Sequence, residues 1–231
     1  FENNSSLVQI ENAINLGDIN YKRIANVKKF DYVYWSSPVA SFNLDNLNIL
    51  EPTGPKYKWE PIATNPNGGI GNWADAQSNI METARGYIVR SPLSYSTNTT
   101  APFTSTFTGI PNNGFISRTL SRGPITVSTL GSYTSLNGVA FTPFDDNWNL
   151  IGNPYPSAIS ANQLLFENRE SNGGMMAGFI NIWRHGIDIQ TGINNPFYGS
   201  YIYNYDPNDY LTYNILGASC CPAVGDYKIG A

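Results

Sequence analysis

Charge is scarce in this sequence. Lys, Arg, Asp and Glu together make up 13% of its 231 residues, about half the share of an ordinary soluble domain. What charge there is runs slightly acidic, thirteen basic against seventeen acidic residues for a net charge of -4. A protein that neutralises phosphates needs a basic face, so the acidic balance argues against nucleic acid as a partner. Histidine occurs once, at His185, and no G-x-S-x-G, H-E-x-x-H or P-loop pattern is present. Neither a nucleophile–base triad nor a zinc-hydrolase site can therefore be argued from spacing. The only cysteines, Cys220 and Cys221, are neighbours. They cannot staple distant parts of the chain, and no second Cys/His pair stands at metal-ligand spacing. No apolar run reaches the roughly 18 residues of a membrane-spanning helix, so membrane insertion is not expected. The sequence shows no charged-then-apolar export leader either, so a mature product or an internal piece is expected.

Aromatic, amide and turn residues fill the space that charge leaves. Aromatics reach 13%, with 15 Tyr, and there are 29 Asn, 21 Gly and 15 Pro. Tyr and Thr suit a pleated, half-buried surface. Asn, Gly and Pro make the turns between strands. Short apolar runs recur at turn-bounded spacing: 7–10, 19–24, 30–35, 57–63, 86–90, 103–108, 115–120, 125–130, 148–152, 179–183, 200–205 and 210–216. Pro61 should push its strand to an edge or a bulge. Phe103 to Thr108 alternates aromatic with hydroxyl residues, so one face should be buried, with 115–120 and 125–130 as its partners. Two stretches read as helices, one at 160–168 capped by Ser160 and a weaker one at 75–83. The expected fold class is all-β, a jelly-roll-like β-sandwich of about a dozen short strands with one or two short helices.

Two runs match at an offset of 116. Tyr32-Val-Tyr-Trp-Ser-Ser-Pro38-Val39 lines up with Trp148-Asn-Leu-Ile-Gly-Asn-Pro154-Tyr155. Each is an aromatic-led strand that breaks at two small residues and a proline. An internal duplication would let two similar sheet units bury their apolar faces on each other. The expected organisation is lead-in strands over 1–29, then a module over 30–231 with halves of about 30–130 and 131–231. In the second run, Gly152 is expected to take dihedrals closed to other residues. Asn153 should satisfy backbone groups in an Asx-turn, and Pro154 and Pro156 should end the strand. Trp148 and Ile151 would anchor this junction in the core.

The longer run, Trp148-Asn-Leu-Ile-Gly-Asn-Pro-Tyr-Pro-Ser-Ala-Ile159, resembles a motif of large surface proteins of Bacteroidota exported by the type IX secretion system, adhesins and gliding-associated proteins among them. Tyr32-Val-Tyr-Trp-Ser-Ser-Pro-Val39 is similar to the first-half signature of that group. Arg85-Gly-Tyr-Ile-Val89 is similar to its "G-x-G-[YF]-x-V" strand, with Ala84 where the first Gly often stands. The resemblance implies a non-enzymatic module at the cell surface or outside the cell, acting in adhesion or as a structural part of a surface appendage. Its partners would be a cell-surface or glycan target, or copies of itself. Regions outside this chain would meet the export machinery. Similar proteins close the second half with a Gly-x-Gly-Phe strand, so these 231 residues are expected to be a fragment, with that half truncated.

Binding chemistry is sought in the aromatics and the acidic turns. Exposed aromatic rings stack on sugars, and Trp59 and Trp73 bracket a loop rich in Pro, Gly and Asn. Tyr201, Tyr203 and Tyr205 alternate and share one face of a strand. Trp59, Trp73, Tyr201 and Tyr203 are therefore the candidate platform of a carbohydrate-binding accessory domain, the alternative reading. Asp206 and Asp209 offer hard oxygens for a calcium ion, as do Asp145 and Asp146, though turn capping is the plainer use of all four. No catalytic residue and no other cofactor is expected.

Overall fold

A computed structural model describes residues 1–64, 70–123, 148–174, 176–184, 186, 190–191, 203–204, 209–218 and 228–230. Within them the chain is all-β. Its strands are β1 (Ile19–Val27), β2 (Tyr32–Trp35), β3 (Lys56–Thr64), β4 (Ile70–Asp75), β5 (Tyr87–Arg90), β6 (Ala101–Gly109), β7 (Ile159–Ser160), β8 (Phe179–Trp183), β9 (Gln190–Thr191), β10 (Tyr203–Asn204), β11 (Tyr210–Asn214), β12 (Gly217–Ala218) and β13 (Lys228–Ile229). One α-helix, α1 (Ala161–Glu167), follows β7, and the Ser160 hydroxyl caps it by accepting the Gln163 N–H at 2.9 Å. All strand pairings are antiparallel, and the strands gather into one four-stranded sheet, one of three and several of two.

The main core lies between the four-stranded sheet, ordered β2-β5-β3-β4, and the β1–β6 ribbon. Alternation sets this arrangement. In β6, Phe103, Ser105 and Phe107 are buried while Thr104, Thr106 and Thr108 face solvent. In β2, Val33 and Trp35 point inward and Tyr32 and Tyr34 point to the opposite face, because successive side chains of a strand alternate. Trp35 meets Phe103 edge-on at 5.8 Å, and Phe107 lies 4.8 Å from Phe42. A single 3-10 turn, Leu44–Leu47, closes the core with two fully buried leucines. The buried Ser105 hydroxyl donates to the Leu47 carbonyl at 2.7 Å, so this polar group is satisfied inside the core.

The outer face of the four-stranded sheet carries Tyr34, which stacks on Trp183 of β8 at 5.9 Å and meets Tyr210 of β11. The sheet β12-β11-β8 thus covers part of that face. Beyond it, Ala161 and Leu165 of α1 and Tyr213 of β11 form a second, smaller buried cluster.

Several local expectations change. The segment 7–10 is extended but joins no ladder, because the Leu7 N–H goes to the Pro156 carbonyl instead. The partner of β6 is β1, in register from Ile19↔Gly109 to Val27↔Ala101, and residues 115–120 form no strand. Residues 125–130 lie outside the described ones. The stretch 75–83 is not helical, since Leu44 N–H bonds Asn79 and Met81 N–H bonds Phe42, tying it to the chain at 42–44. Pro61 does fall where the β3–β4 register shifts, between Glu60 and Thr64. β1, expected in a lead-in, supplies Tyr21 and Val27 to the main core.

Candidate functional site: the motif junction and the aromatic face

The run Trp148 to Pro156 passes beside the start of β5. Gly86 N–H donates to the Leu150 carbonyl at 3.1 Å, and Gly152 N–H donates to the Ala84 carbonyl at 3.2 Å. Gly152 keeps an ordinary negative φ, so the expected special dihedral is not its role. Space is the constraint. A Cβ at Gly152 would stand 2.2 Å from the Ser36 Cβ and 2.4 Å from its hydroxyl, well inside contact distance. Trp148 is also not the core anchor expected of it: it is 39% exposed and meets the edge of Phe179 at 6.1 Å. Its carbonyl instead accepts the Trp59 indole N–H at 2.8 Å.

The two matched runs use one turn device. The Asn153 amide oxygen accepts the Tyr155 N–H at 2.9 Å, the expected Asx-turn. At the matched position, the Ser37 hydroxyl accepts the Val39 N–H at 3.3 Å and donates to the Val39 carbonyl at 2.7 Å. Pro154 and Pro38, both buried, follow these residues. Ser36 and Gly152, matched in the same alignment, are the residues in contact. The Asn112 amide then donates to both turns, to the Ser37 carbonyl at 3.2 Å and the Pro154 carbonyl at 2.9 Å. The Asn153 NH2 group donates to Ser157 at 2.6 Å and Ile229 at 3.0 Å, binding β13 to the junction. Pro156 is buried as well, and its carbonyl takes the Leu7 N–H.

Trp59 and Trp73 do not stand free at a loop tip. They are directly paired across β3 and β4, 5.1 Å apart and edge to face. Gly71, at φ +97, makes room for the Trp59 ring; a Cβ there would lie 2.3 Å from it. Trp73 continues to Tyr34 at 6.4 Å, and Tyr34 to Trp183 and Tyr210. The aromatic excess thus goes into a half-buried seam that joins two sheets. The Tyr34 and Tyr210 hydroxyls bond each other, and burial raises the Tyr210 phenol above its ordinary pKa despite that bond. Tyr201 and Tyr205 lie outside the described residues, and of Tyr203 only the backbone is described, in β10 beside β9.

Beside the backbone of Trp59 opens a crevice of about 170 Å³ lined by Glu60, Arg85, Arg118, Asn149 and Leu150, among others. Its charges are interlocked. The buried Arg85 reaches Glu82 at 2.7 Å, Glu60 at 2.8 Å and the Trp59 carbonyl at 2.8 Å. Arg118 reaches the other Glu82 oxygen at 3.1 Å. Partial burial would raise the Glu82 carboxyl, but bonds from Arg118 and Arg85 outweigh it and hold the pKa below the usual glutamate value. A family model matches residues 1–231.

The chain belongs to the family described as Domain of unknown function (DUF8693). No curated protein and no solved structure matches it.

Other polar groups of this DUF8693 chain hold loops in place. Asp209 is buried, and its Oδ1 accepts the Gly186 N–H at 2.8 Å. Asp206, Asp145, Asp146, His185, Cys220 and Cys221 lie outside the described residues. Among the described residues, no group of three or more His, Cys, Asp or Glu is placed to hold a metal ion. Lys56, which sequence reasoning missed, is fully buried at the start of β3. Its ammonium group donates to the Pro52 and Gly54 carbonyls and lies 3.4 Å from Asp45. Burial would raise the Asp45 carboxyl, but two bonds from Ser78 and the Lys56 charge hold it below the ordinary aspartate value. Alternation gave no warning of this: in Lys56-Tyr-Lys-Trp59 the aromatics look like the inward set, and it is the pairing with Val89 and Tyr87 of β5 that places the lysines on the core side.

Proposed function

We propose that this chain is a non-enzymatic module of a large secreted surface protein of a Bacteroidota bacterium. It would act outside the cell in adhesion or as a structural part of a surface appendage. One observation supports the non-enzymatic part of this reading: most of the described carboxylates are occupied in ion pairs or hydrogen bonds within the fold. Glu2, Glu51, Glu60 and Glu82 sit in ion pairs. Asp31, Asp45, Asp75 and Asp209 accept backbone N–H groups, and Glu167 accepts from Gln163. Glu11, Asp18 and Glu170 stand in solvent. General acid–base work needs a carboxylate free to meet a substrate in a cleft. The surface reading itself draws on the run Trp148–Ile159 and its likeness to type IX cargo, and a low charge content suits a rigid spacer or tip.

The test is to raise antibody against the module and label intact cells of a bacterium that carries the gene. Surface label on a polypeptide far heavier than 25.4 kDa is the expected result. Label confined to the cytosol would overturn the reading.

The crevice beside Trp59 favours a second reading, a carbohydrate-binding accessory domain of a secreted polysaccharide-degrading enzyme. Its lining of two guanidinium groups, Glu60 and Asn149 is polar, as sugar sites are, and Arg118 is the more exposed of the two cations. Calorimetric titration with polysaccharides should then give binding that Arg118→Ala abolishes. Binding that persists unchanged in Arg118→Ala would count against this site.

A further inference from the structure

The first sixteen residues form a strap that is clamped on its inner side and, from Val8 onward, exposes several apolar side chains. From Asn3 to Ile10 burial alternates strictly: Asn3, Ser5, Leu7 and Gln9 face in, and Asn4, Ser6, Val8 and Ile10 face out. The clamps are specific. Asn3 accepts the Ile24 N–H at 3.0 Å, the Tyr21 hydroxyl donates to the Ser5 carbonyl at 3.0 Å, and Leu7 N–H reaches Pro156 at 2.7 Å. The Asn113 amide donates to the carbonyls of Glu11 and Ala13, and the Asn15 amide to that of Pro111. A strap held this way presents a fixed outer face. Val8, Ile10 and Phe115 line one concavity, and Ile14 and Leu16, further along the strap, are exposed as well. These five side chains are between 78% and 93% exposed. Apolar patches of more than a few hundred Å² on a soluble domain mark interaction sites.

We infer that this face is where two copies of the chain meet. The inference rests on reading the chain as a module that works through its surface, and it names a partner for that surface. Area is the first argument. Side chains of this size expose roughly 150 Å² each when this open, so the five offer on the order of 800 Å², the contribution of one partner to a standard interface. Composition is the second. Glu11 is the one charged residue from Asn3 to Asn15, so the face offers a charged partner no complement and presents little like charge to its own copy. The same patch on both copies closes about a two-fold axis, giving a finite dimer rather than an open chain.

Sedimentation velocity of the 231-residue chain across micromolar concentrations tests this. The expected result is a mass moving from 25.4 kDa to twice that as concentration rises. A variant with Val8→Lys and Ile10→Lys should stay monomeric, as should Phe115→Lys, which leaves the strap intact. Ile215→Lys with Leu216→Lys, also exposed, in the β11–β12 turn, should dimerise like the parent. Circular dichroism confirms that each variant is folded. A parent that is monomeric throughout overturns the inference, and so does a dimer that the three strap and Phe115 changes leave intact. A dimer without surface label on cells would sink the cellular reading and keep this one; surface label on a monomer would do the reverse.

Discussion

Residues 19–109 and residues 148–230 bury their apolar groups by different means. The first region closes a core of fourteen buried side chains between two layers, with Phe107, Leu44 and Leu47 wholly enclosed. The second, as far as it is described, has one small buried apolar cluster, Ala161, Leu165 and Tyr213, with Leu211 buried outside it. It leans on the first through the Tyr34–Trp183–Tyr210 seam and the Gly152–Ser36 contact. The lesson is that a sheet whose outer face is aromatic and whose edge is shaped for contact can serve as the docking surface of a neighbour.

That difference can be broken at its strong end first. Phe107→Ala removes a fully enclosed ring from the main core and should cost about 3–5 kcal/mol by chemical denaturation. Leu165→Ala should cost about 2 kcal/mol, because half-buried neighbours can close over its smaller cluster. Equal losses would mean that the two regions share one core. The junction comes next. Gly152→Ala forces a methyl group against Ser36 and should cost about 1–3 kcal/mol. Combining it with Ser36→Gly removes both atoms within 2.4 Å and leaves the nearest remaining one, the Arg85 carbonyl, at 3.3 Å. The double variant should then be more stable than Gly152→Ala alone; no recovery would place the strain elsewhere. Loss of the Tyr34 hydroxyl in Tyr34→Phe should cost only about 0.5–1.5 kcal/mol, read from thermal melts.

Acid sharpens the comparison further. The Glu82 carboxyl titrates below its ordinary value of 4.5, so the unfolded chain takes up that proton first. Its stabilisation is complete above pH 4.5 and drains away as pH falls through the lower folded value. Asp45 behaves alike below its ordinary 3.8. Both groups belong to the first region. Melting temperature should fall on acidification, and Glu82→Gln should flatten that fall; an unchanged profile would contradict the Arg85–Glu82–Arg118 network.

Much of the fold was legible because period-two alternation is local. β6 and β2 show their buried faces in Phe103 to Thr108 and Tyr32 to Trp35, and Ser160 announces α1. Partners were not legible, since pairing depends on residues far apart: β6 chose β1, and the strap at 7–10 found Pro156 rather than a strand. Asn153 could be read from the proline that follows it. Gly152 could be singled out but not explained, because its neighbour Ser36 is more than a hundred residues away. Trp59 and Trp73 looked exposed because the loop between them was visible and their packing on Gly71 and Tyr34 was not. Lys56 could not be read as buried, because in Lys-Tyr-Lys-Trp the aromatics look like the inward set and only the register with β5 reverses that.

Hydrogen exchange, followed peptide by peptide in the parent and in Gly152→Ala, tests most directly whether the second region is docked on a self-sufficient first one. The account predicts faster exchange confined to 149–218, with the amides of β1 and β6 as protected as in the parent. Equal loss of protection in 19–27 and 101–109 would contradict it.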